Sequence, residues 1–163
     1  QVRVGINNRP FEIYKFRTMR VDAEKDGARW ASRNDPRVTV LGGFLRRTHL
    51  DELPQLINVL KGEMSLVGPR PERPIFVSEL SRQIEGYPLR LKVKPGITGL
   101  AQVCHRYDES IEDVKVKLDY DLRYVRSCGL LMDARIIFNT FWRLVSGQTH
   151  DVGAPAGNLD QNS

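Results

Sequence analysis

The sequence predicts a single α+β domain that is mostly helical and carries a small β-hairpin and short strands. Two long segments near the C-terminus repeat apolar residues at helical spacing. A segment at the N-terminus alternates apolar and polar residues around an Asn7-Asn8 turn. The 163 residues suffice for one domain with a real core and are too few for two. We expect that domain to span 1–147 and the Gly-, Asn-, Pro- and Ala-rich tail, 148–163, to be disordered.

The first half of the chain predicts the hairpin and one helix. Val2 to Gly5 and Phe11 to Phe16 are the two strands of the hairpin. Residues 22–37 are polar and charged and form either a loop or a short helix. A helix runs from about Asp51 to Lys61 and ends at Gly62. One face of this helix carries four apolar side chains: Leu53, Leu56, Ile57 and Leu60.

The second half predicts three helices and a strand. Pro74 opens a helix that ends before Gly86. Residues 89–94 alternate apolar and basic side chains, which predicts a short strand with a basic outer face. The last two helices are predicted from two apolar sets at helical spacing. The first set is Ile111, Val114, Leu118, Leu122 and Val125, and the second is Leu130, Ala134, Ile137, Phe138, Phe141, Leu144 and Val145.

Composition limits the class of protein. The chain is 40% hydrophobic and 28% charged, as in ordinary globular proteins. Its net charge of +5 favours an anionic partner, and nucleic acid, anionic lipid and a nucleotide-sugar pyrophosphate all qualify. Cys104 and Cys128 match no zinc or redox spacing and are expected to be reduced thiols. No apolar run approaches the ~18 residues of a membrane span and no signal peptide is present, although a chain beginning at Gln1 indicates a trimmed N-terminus.

The stretch from Arg46 to Gln55 places two adjacent carboxylates, Asp51 and Glu52, at a predicted helix start behind two arginines. One interpretation makes Asp51 an N-cap and lets Glu52 complement the helix dipole. The other is a phosphate site, because a helix start and arginines both bind phosphate oxygens. A carboxylate kept ionised there can attack phosphorus, and a second can hold Mg²⁺ together with substrate phosphates.

Two stiff turns follow. Gly68 and the prolines on either side of Arg70 fix the backbone, so Arg70 can be presented with little entropy to lose, although the turn could equally have no functional role. In the turn 94–99, Gly96 and Gly99 allow close backbone approach to a ligand.

Asp121 and Asp133 lie on the apolar stripes of their predicted helices. Burying an unpaired carboxylate is costly, so each should meet an arginine, a metal or backbone donors. A structural ion pair and a site role are both open.

Four segments closely resemble the bacterial sugar transferase family of monotopic phosphoglycosyl transferases, in the family's order. They are Lys15-Phe16-Arg17-Thr18-Met19, Leu50 to Asn58, Met64 to Pro71 and Lys94 to Val103, and the resemblance runs from Gln1 to about Gly147. It implies transfer of a sugar-1-phosphate from a UDP-sugar to polyprenyl (undecaprenyl) phosphate, with release of UMP, at the cytoplasmic face of the bacterial inner membrane. This would be the first membrane step of exopolysaccharide, O-antigen or glycoprotein glycan assembly. Family members carry a re-entrant membrane helix before the position of Gln1, so the chain is expected to be a soluble catalytic domain without it.

The resemblance also implies roles for single residues. Asp51 matches the nucleophile that forms a covalent aspartyl-phosphosugar intermediate, and Glu52 matches its partner, linked with Mg²⁺. Positions matching substrate-binding or activity-linked residues are Arg46, Pro69, Arg70, Pro71, Arg106, Asp121 and Asp133. The sequence departs from the family pattern at His49, 104–106 and 126–129, none of which alters the Asp-Glu pair.

Rival interpretations concern the basic surface and the fragment itself. Basic residues interleave with Tyr87, Tyr107 and Tyr124 as on a nucleic-acid-binding surface, but no such motif is present, so nucleic acid is not expected as a partner. A folded fragment that is inactive without its membrane segment is the second alternative, and a homo-oligomer stays open.

The expected partner surface is an anionic membrane. The basic residues available to face lipid are Arg46, Arg47, Arg90, Lys92, Arg123, Arg126, Arg135 and Arg143. Phe138, Phe141 and Trp142 could lie at that boundary, with at least two of them expected in the core instead.

Overall fold

The computed structural model describes residues 1–23, 25, 35–105 and 110–146. It is an α+β fold, mostly helical, with two small two-stranded sheets, as the sequence predicts. The predicted tail, Arg106 and Tyr107, and most of the stretch 22–37 predicted as a loop or short helix lie outside the described residues. The elements are β1 (Val2–Val4), β2 (Pro10–Glu12), α1 (Val40–Arg47), α2 (Gln55–Leu60), β3 (Ser65–Val67), α3 (Pro74–Gln83), β4 (Gly96–Thr98), α4 (Leu100–Cys104), α5 (Ile111–Ser127) and α6 (Leu130–Val145), with 3₁₀ turns at Ile6–Asn8, Leu50–Glu52 and Tyr87–Lys92.

The N-terminal hairpin is confirmed. Strands β1 and β2 pair antiparallel, with Val2 opposite Glu12 and Val4 opposite Pro10. Asn7 and Asn8 both adopt positive φ, which asparagine tolerates better than most residues. The second strand ends at Glu12, four residues earlier than predicted, because the next main-chain amides bond to other elements: Tyr14 N donates to Asn58 Oδ1 and Phe16 N to the Asp51 carbonyl.

Helix α1 was not predicted. Thr39 caps it by accepting a hydrogen bond from the Gly42 amide. The helix packs against the main chain of Thr18 so closely that a Cβ at Gly42 would lie 1.9 Å from the Thr18 carbonyl oxygen. A helix with two adjacent glycines has low intrinsic propensity, so this packing rather than propensity accounts for it.

The helix predicted from Asp51 to Lys61 is only partly correct. Leu50–Glu52 is a 3₁₀ turn, Pro54 precedes α2 as its N-cap, and Gly62 ends the segment with φ 78°. The N-cap role considered for Asp51 is therefore wrong. The four apolar side chains on the predicted face are all exposed, up to 89% for Leu60, so this face does not enter the core.

The strand predicted at residues 89–94 is wrong. Residues Tyr87–Lys92 form a 3₁₀ turn instead. Arg90, assigned to a basic outer face, is 3% exposed because it pairs with a buried carboxylate. It is therefore not available to lipid, and Tyr87 is buried beside it.

The second sheet pairs two three-residue strands in parallel, with Ser65 opposite Gly96 and Val67 opposite Thr98. A Cβ at Gly96 would lie 2.1 Å from the Gly68 amide nitrogen, and one at Gly99 would lie 2.2 Å from the Gly68 carbonyl oxygen. These glycines thus let one main-chain segment pack directly on another. The close approach that we predicted for a ligand is made by the protein's own main chain.

Helices α3, α5 and α6 are confirmed, and α5 has a capping box between Ser110 and Asp113. Two apolar clusters surround α5. The first joins β1, α3 and α5 through Val4, Val77, Leu80, Ile84, Tyr87, Val114 and Leu118. The second joins β3 and α4 to α5 and α6 through Val67, Val103, Tyr124 and Ile136.

Helix α6 is the least buried of the long helices. Ile136 is its one buried residue within the described part of the chain, whereas Phe138, Phe141 and Trp142 are 59–64% exposed. The expectation that the core takes at least two of these aromatics is wrong. Within the described ranges, none of the helices has both the length and the apolar character needed to cross a membrane. Cys104 and Cys128 are free thiols, as predicted.

Candidate active site

The Asp-Glu pair lies in the 3₁₀ turn between α1 and α2. His49 precedes it in the left-handed conformation and turns the chain back from the end of α1. Both carboxylates are buried: Asp51 is 4% and Glu52 9% exposed. Lys15 Nζ lies 3.4 Å from Asp51 Oδ2, and Arg70 Nη2 donates to Glu52 Oε1 at 2.8 Å. Each buried carboxylate therefore has a cationic partner, as burial requires.

The segment 15–18 holds one side of the site. Phe16 N donates to the Asp51 carbonyl at 3.0 Å, and the Thr18 carbonyl accepts from Thr39 N at 3.0 Å. Thr18 Oγ1 accepts from Arg46 Nε at 2.9 Å. This extended segment thus fixes Lys15 over Asp51 and orients Arg46 from the adjacent helix. Sequence reasoning gave Lys15 and Thr18 no role, although both belong to a quoted family segment.

Electrostatics within the site favour an ionised Glu52. Burial raises the pKa of Glu52, but the charge of Arg70 and its hydrogen bond outweigh that, so the pKa lies below its ordinary value. Burial lowers the pKa of Lys15 and the charge of Asp51 only partly offsets this, with Arg70 and Arg46 lowering it further. Lys15, Arg46, Asp51, Glu52 and Arg70 are thus within electrostatic reach of one another.

The stiff turn around Arg70 is confirmed as a fixed loop. Four consecutive main-chain carbonyls, 69–72, accept hydrogen bonds from four different donors. The donors are Gly96 N to Pro69 (3.0 Å), Arg90 Nη2 to Arg70 (2.9 Å), Arg3 Nη1 to Pro71 (3.3 Å) and Val4 N to Glu72 (2.9 Å). Pro69 and Pro71 are buried, while the Arg70 side chain is 42% exposed. The loop therefore presents Arg70 from a backbone that has little freedom left.

The predicted partner is found for Asp121, which pairs with an arginine, whereas Asp133 is half-buried and meets a tyrosine hydroxyl instead. Asp121 is 2% exposed, and its Oδ2 accepts from Arg90 Nε at 2.8 Å and lies 2.7 Å from Arg90 Nη2. Asp133 accepts from the Tyr124 hydroxyl at 2.9 Å. Tyr124, like Tyr87, is buried, so neither ring is available to stack on a nucleic-acid base.

The structure brings together five groups at one place: Lys15, Arg46, Asp51, Glu52 and Arg70. Pro69 and Pro71 flank this group through the Arg70 loop. Asp121 is placed against Arg90 and Asp133 against Tyr124, and the position of Arg106 lies outside the described residues.

The described residues offer a cation few protein ligands. No three acidic, histidine or cysteine side chains gather as a metal site in the described part of the chain. Mg²⁺ in phosphoryl-transfer sites commonly takes only one or two protein carboxylates, the other ligands being waters and substrate phosphates. The carboxylate of Glu52, with waters and substrate phosphates, fits that kind of site.

Comparison with known proteins decides the family. A profile of the bacterial sugar transferase family matches residues 1–147. The chain belongs to this family. It is 46% identical over 147 residues to the UDP-N-acetylgalactosamine-undecaprenyl-phosphate N-acetylgalactosaminephosphotransferase of Aeromonas hydrophila, covering 90% of this chain and 35% of that protein. It is 45% identical over 145 residues to the UDP-glucose:undecaprenyl-phosphate glucose-1-phosphate transferase of Escherichia coli K12, covering 88% and 31%.

A third member of the family, the UDP-glucose:undecaprenyl-phosphate glucose-1-phosphate transferase of Caulobacter vibrioides, is 40% identical over 142 residues, covering 86% of this chain and 53% of that protein. The chain thus spans about a third of the length of the first two relatives and about half of this one.

Proposed function

We propose that this chain is the catalytic domain of an enzyme that transfers a sugar-1-phosphate from a UDP-sugar to undecaprenyl phosphate and releases UMP. One observation carries the proposal: a buried Asp-Glu pair meets Lys15 and Arg70 at the centre of a family match that covers residues 1–147. Relatives with this match are named for transfer of glucose-1-phosphate or N-acetylgalactosamine phosphate to undecaprenyl phosphate.

In the first step Asp51 is the nucleophile. Its carboxylate oxygen forms a bond to the sugar-bearing phosphorus, the pyrophosphate P–O bond breaks, and UMP leaves with the bridging oxygen and its electron pair. Lys15, 3.4 Å from Asp51, holds the carboxylate in place and offers positive charge to the phosphate oxygens. Arg70, whose side chain is 42% exposed while Asp51 is buried, is the more accessible of these groups and is assigned to the donor phosphates.

In the second step an oxygen of undecaprenyl phosphate attacks the same phosphorus. The Asp51–phosphorus bond breaks and the carboxylate is regenerated, so the enzyme returns to its starting state without net proton transfer. Splitting the transfer into two displacements lets one site serve a soluble donor and a lipid acceptor in turn.

Glu52 would hold Mg²⁺, which when bound neutralises charge on the paired phosphates. Arg70 contributes to the same end by keeping Glu52 ionised through its hydrogen bond at 2.8 Å. We assign Arg46 to a phosphate oxygen of the donor, and its hydrogen bond to Thr18 Oγ1 at 2.9 Å supports this by orienting the guanidinium.

Because undecaprenyl phosphate is a membrane lipid, we propose that the protein acts at the cytoplasmic face of the inner membrane. Exposed apolar side chains line α1 and α6, with Val40 96% and Leu130 89% exposed, and exposed arginines accompany them at Arg47 and Arg135. Apolar groups beside basic ones are typical of an interfacial helix on anionic lipid.

The test uses the full-length protein with a panel of UDP-sugars and undecaprenyl phosphate, with UMP release as the readout. Mass spectrometry after incubation with donor alone should find a phosphosugar on Asp51. Asp51→Asn should abolish UMP release and keep the fold, whereas Asp119→Asn, an exposed aspartate on α5, should keep both. An adduct on another residue, or full activity of Asp51→Asn, would refute the covalent mechanism.

A further inference from the structure

Two acidic side chains of the C-terminal helices reach the same short segment, residues 67–70, through one intermediary each. We propose that Asp121 and Asp133 are positioning residues that fix this segment through Arg90 and Tyr124 and so place the Arg70 guanidinium on Glu52. The inference deepens the proposed function and rests on it. It differs from the substrate-binding roles that the family resemblance implies for both aspartates.

The first connection runs through Arg90. Its guanidinium is 2% exposed and binds three elements: Asp121 on α5, the Tyr87 hydroxyl at 3.0 Å in its own 3₁₀ turn, and the Arg70 carbonyl at 2.9 Å. An arginine presents five N–H donors in a rigid planar fork, so three acceptors bound at once fix the relative position of their elements. A lysine, with one ammonium group, cannot reproduce that geometry.

The second connection runs through Tyr124. Its hydroxyl lies 2.9 Å from Asp133 Oδ1 and 3.2 Å from the Val67 carbonyl oxygen, with the ring buried between α5 and α6. Val67 ends the strand that leads into the Arg70 loop. Both partners are acceptors, so the single proton of the hydroxyl is shared between them, and Tyr124 links Asp133 on α6 to the main chain three residues before Arg70.

The arrangement is better explained by positioning than by stability. A buried ion pair such as Arg90–Asp121 often contributes no more to stability than well-packed apolar side chains of the same volume. Its specific effect is to hold the Arg70 carbonyl. Because Pro69 and Pro71 restrict the backbone on both sides, a shift of that carbonyl moves the base of the Arg70 side chain with it. A displacement of about 1 Å at a catalytic group can cost about 100-fold in rate.

The experiment is a set of double-mutant cycles in the full-length enzyme. Arg90→Lys, Asp121→Asn and Tyr124→Phe are each measured alone and combined with Arg70→Ala, with kcat and KM for the UDP-sugar determined separately. We expect Arg90→Lys to lower kcat by about 10- to 100-fold with a much smaller change in KM. Asp121→Asn and Tyr124→Phe should act in the same sense, and none of the three should lower kcat further once Arg70 is Ala.

Leu118→Ala is the matched control, because Leu118 is a core residue one turn before Asp121 on the same helix. It should lower Tm and leave kcat of the folded enzyme unchanged. Equal losses in both Arg70 backgrounds, or kcat losses that simply follow Tm as in the control, would overturn the positioning role. A raised KM for Asp121→Asn that persists with Arg70→Ala would make Asp121 a substrate ligand instead.

A second measurement does not depend on turnover. Crystal structures of the wild type and Arg90→Lys should differ in the contact between Arg70 Nη2 and Glu52 Oε1, which is 2.8 Å here and should be lost in the variant. An unchanged contact refutes the inference, with Tyr124→Phe taking the place of any variant that does not fold. If the wild-type enzyme turned over no UDP-sugar, only the proposed function would be refuted. The two crystal structures would still decide whether Arg90 positions Arg70.

Discussion

Replacing glycine by alanine should have opposite effects on stability at the two adjacent glycines of α1. A Cβ at Gly42 would lie 1.9 Å from the Thr18 carbonyl oxygen and 2.6 Å from its carbon. At Gly43 the nearest atoms, Arg47 Nη1 and Val38 Cγ1, are 3.9 Å and 4.0 Å away, which is ordinary van der Waals distance. Gly42→Ala should therefore destabilise the protein, and Gly43→Ala should stabilise it.

The magnitude follows from what surrounds Thr18. Because the clashing atoms are main chain, helix and segment must separate by roughly 1–1.5 Å to restore normal contact. That separation breaks the hydrogen bonds from Thr39 N and Arg46 Nε to Thr18, each contributing about 1 kcal/mol net. Overpacking destabilises the fold by about 1–3 kcal/mol more, and the better helix propensity of Ala offsets about 1 kcal/mol of this loss.

The expected net effect of Gly42→Ala is a loss of about 3 kcal/mol in the free energy of unfolding, or a Tm lower by about 6–12 °C. Gly43→Ala should raise Tm by about 1–4 °C, because only the propensity term applies. Thermal and urea unfolding of the two variants and the wild type measures both. A stabilised Gly42→Ala, or equal shifts for the two variants, would refute the close packing of α1 on Thr18. Loss of Arg46 orientation should also make Gly42→Ala less active than its stability alone predicts.

Three further predictions concern metal, pH and lipid. Chelation should stop UMP release and Mg²⁺ should restore it, and undiminished turnover in excess chelator would remove the cation from the scheme. Burial raises the pKa of Glu72, but Lys117, Arg90 and Arg3 together lower it below its ordinary value. Its ionised form therefore stabilises the fold above about pH 4.5, and this contribution is lost as pH falls through the folded pKa, so Glu72→Gln should flatten the acid limb of stability against pH. A limb as steep in the variant as in the wild type would contradict this. This chain should bind anionic vesicles weakly and detach at high salt in co-sedimentation. Salt-resistant binding would indicate apolar insertion, and no binding at any salt would contradict a membrane contact within residues 1–163.

Periodicity predicted the helices whose apolar spacing is strong. Helices α3, α5 and α6 appear where the apolar residues repeat, even though most of the apolar side chains of α6 are exposed. Periodicity alone does not reveal which apolar faces are buried, because that depends on what packs against them. The same limit explains α2, whose apolar residues match a core-facing helix and nevertheless lie on the surface.

The errors occur where distant contacts override local pattern. The alternation in 89–94 fits a strand, but Arg90 is drawn inward by Asp121, 31 residues further along the chain. Strands β3 and β4 are too short to leave a pattern, and α1 depends on packing against Thr18. In the candidate site, the Asp-Glu pair and Arg70 could be proposed from sequence, because two arginines precede the pair closely and Arg70 stands between two prolines. Lys15 could not be assigned from local chemistry, since only the fold brings it to Asp51.

The four carbonyls held at residues 69–72 also bear on how the site forms. Their donors lie at residues 3 and 4 on one side of the loop and at 90 and 96 on the other, so no local interaction can give the loop its shape. Contacts this distant in sequence close slowly, because chain entropy must be lost before they form. In refolding, the helical signal should therefore return before the ability to turn over substrate. Local opening of β1 alone would remove the donors of two of the four carbonyls, those of Pro71 and Glu72. Protection of the β1 amides from hydrogen exchange should therefore report on whether the Arg70 loop, some seventy residues away in the chain, keeps its shape.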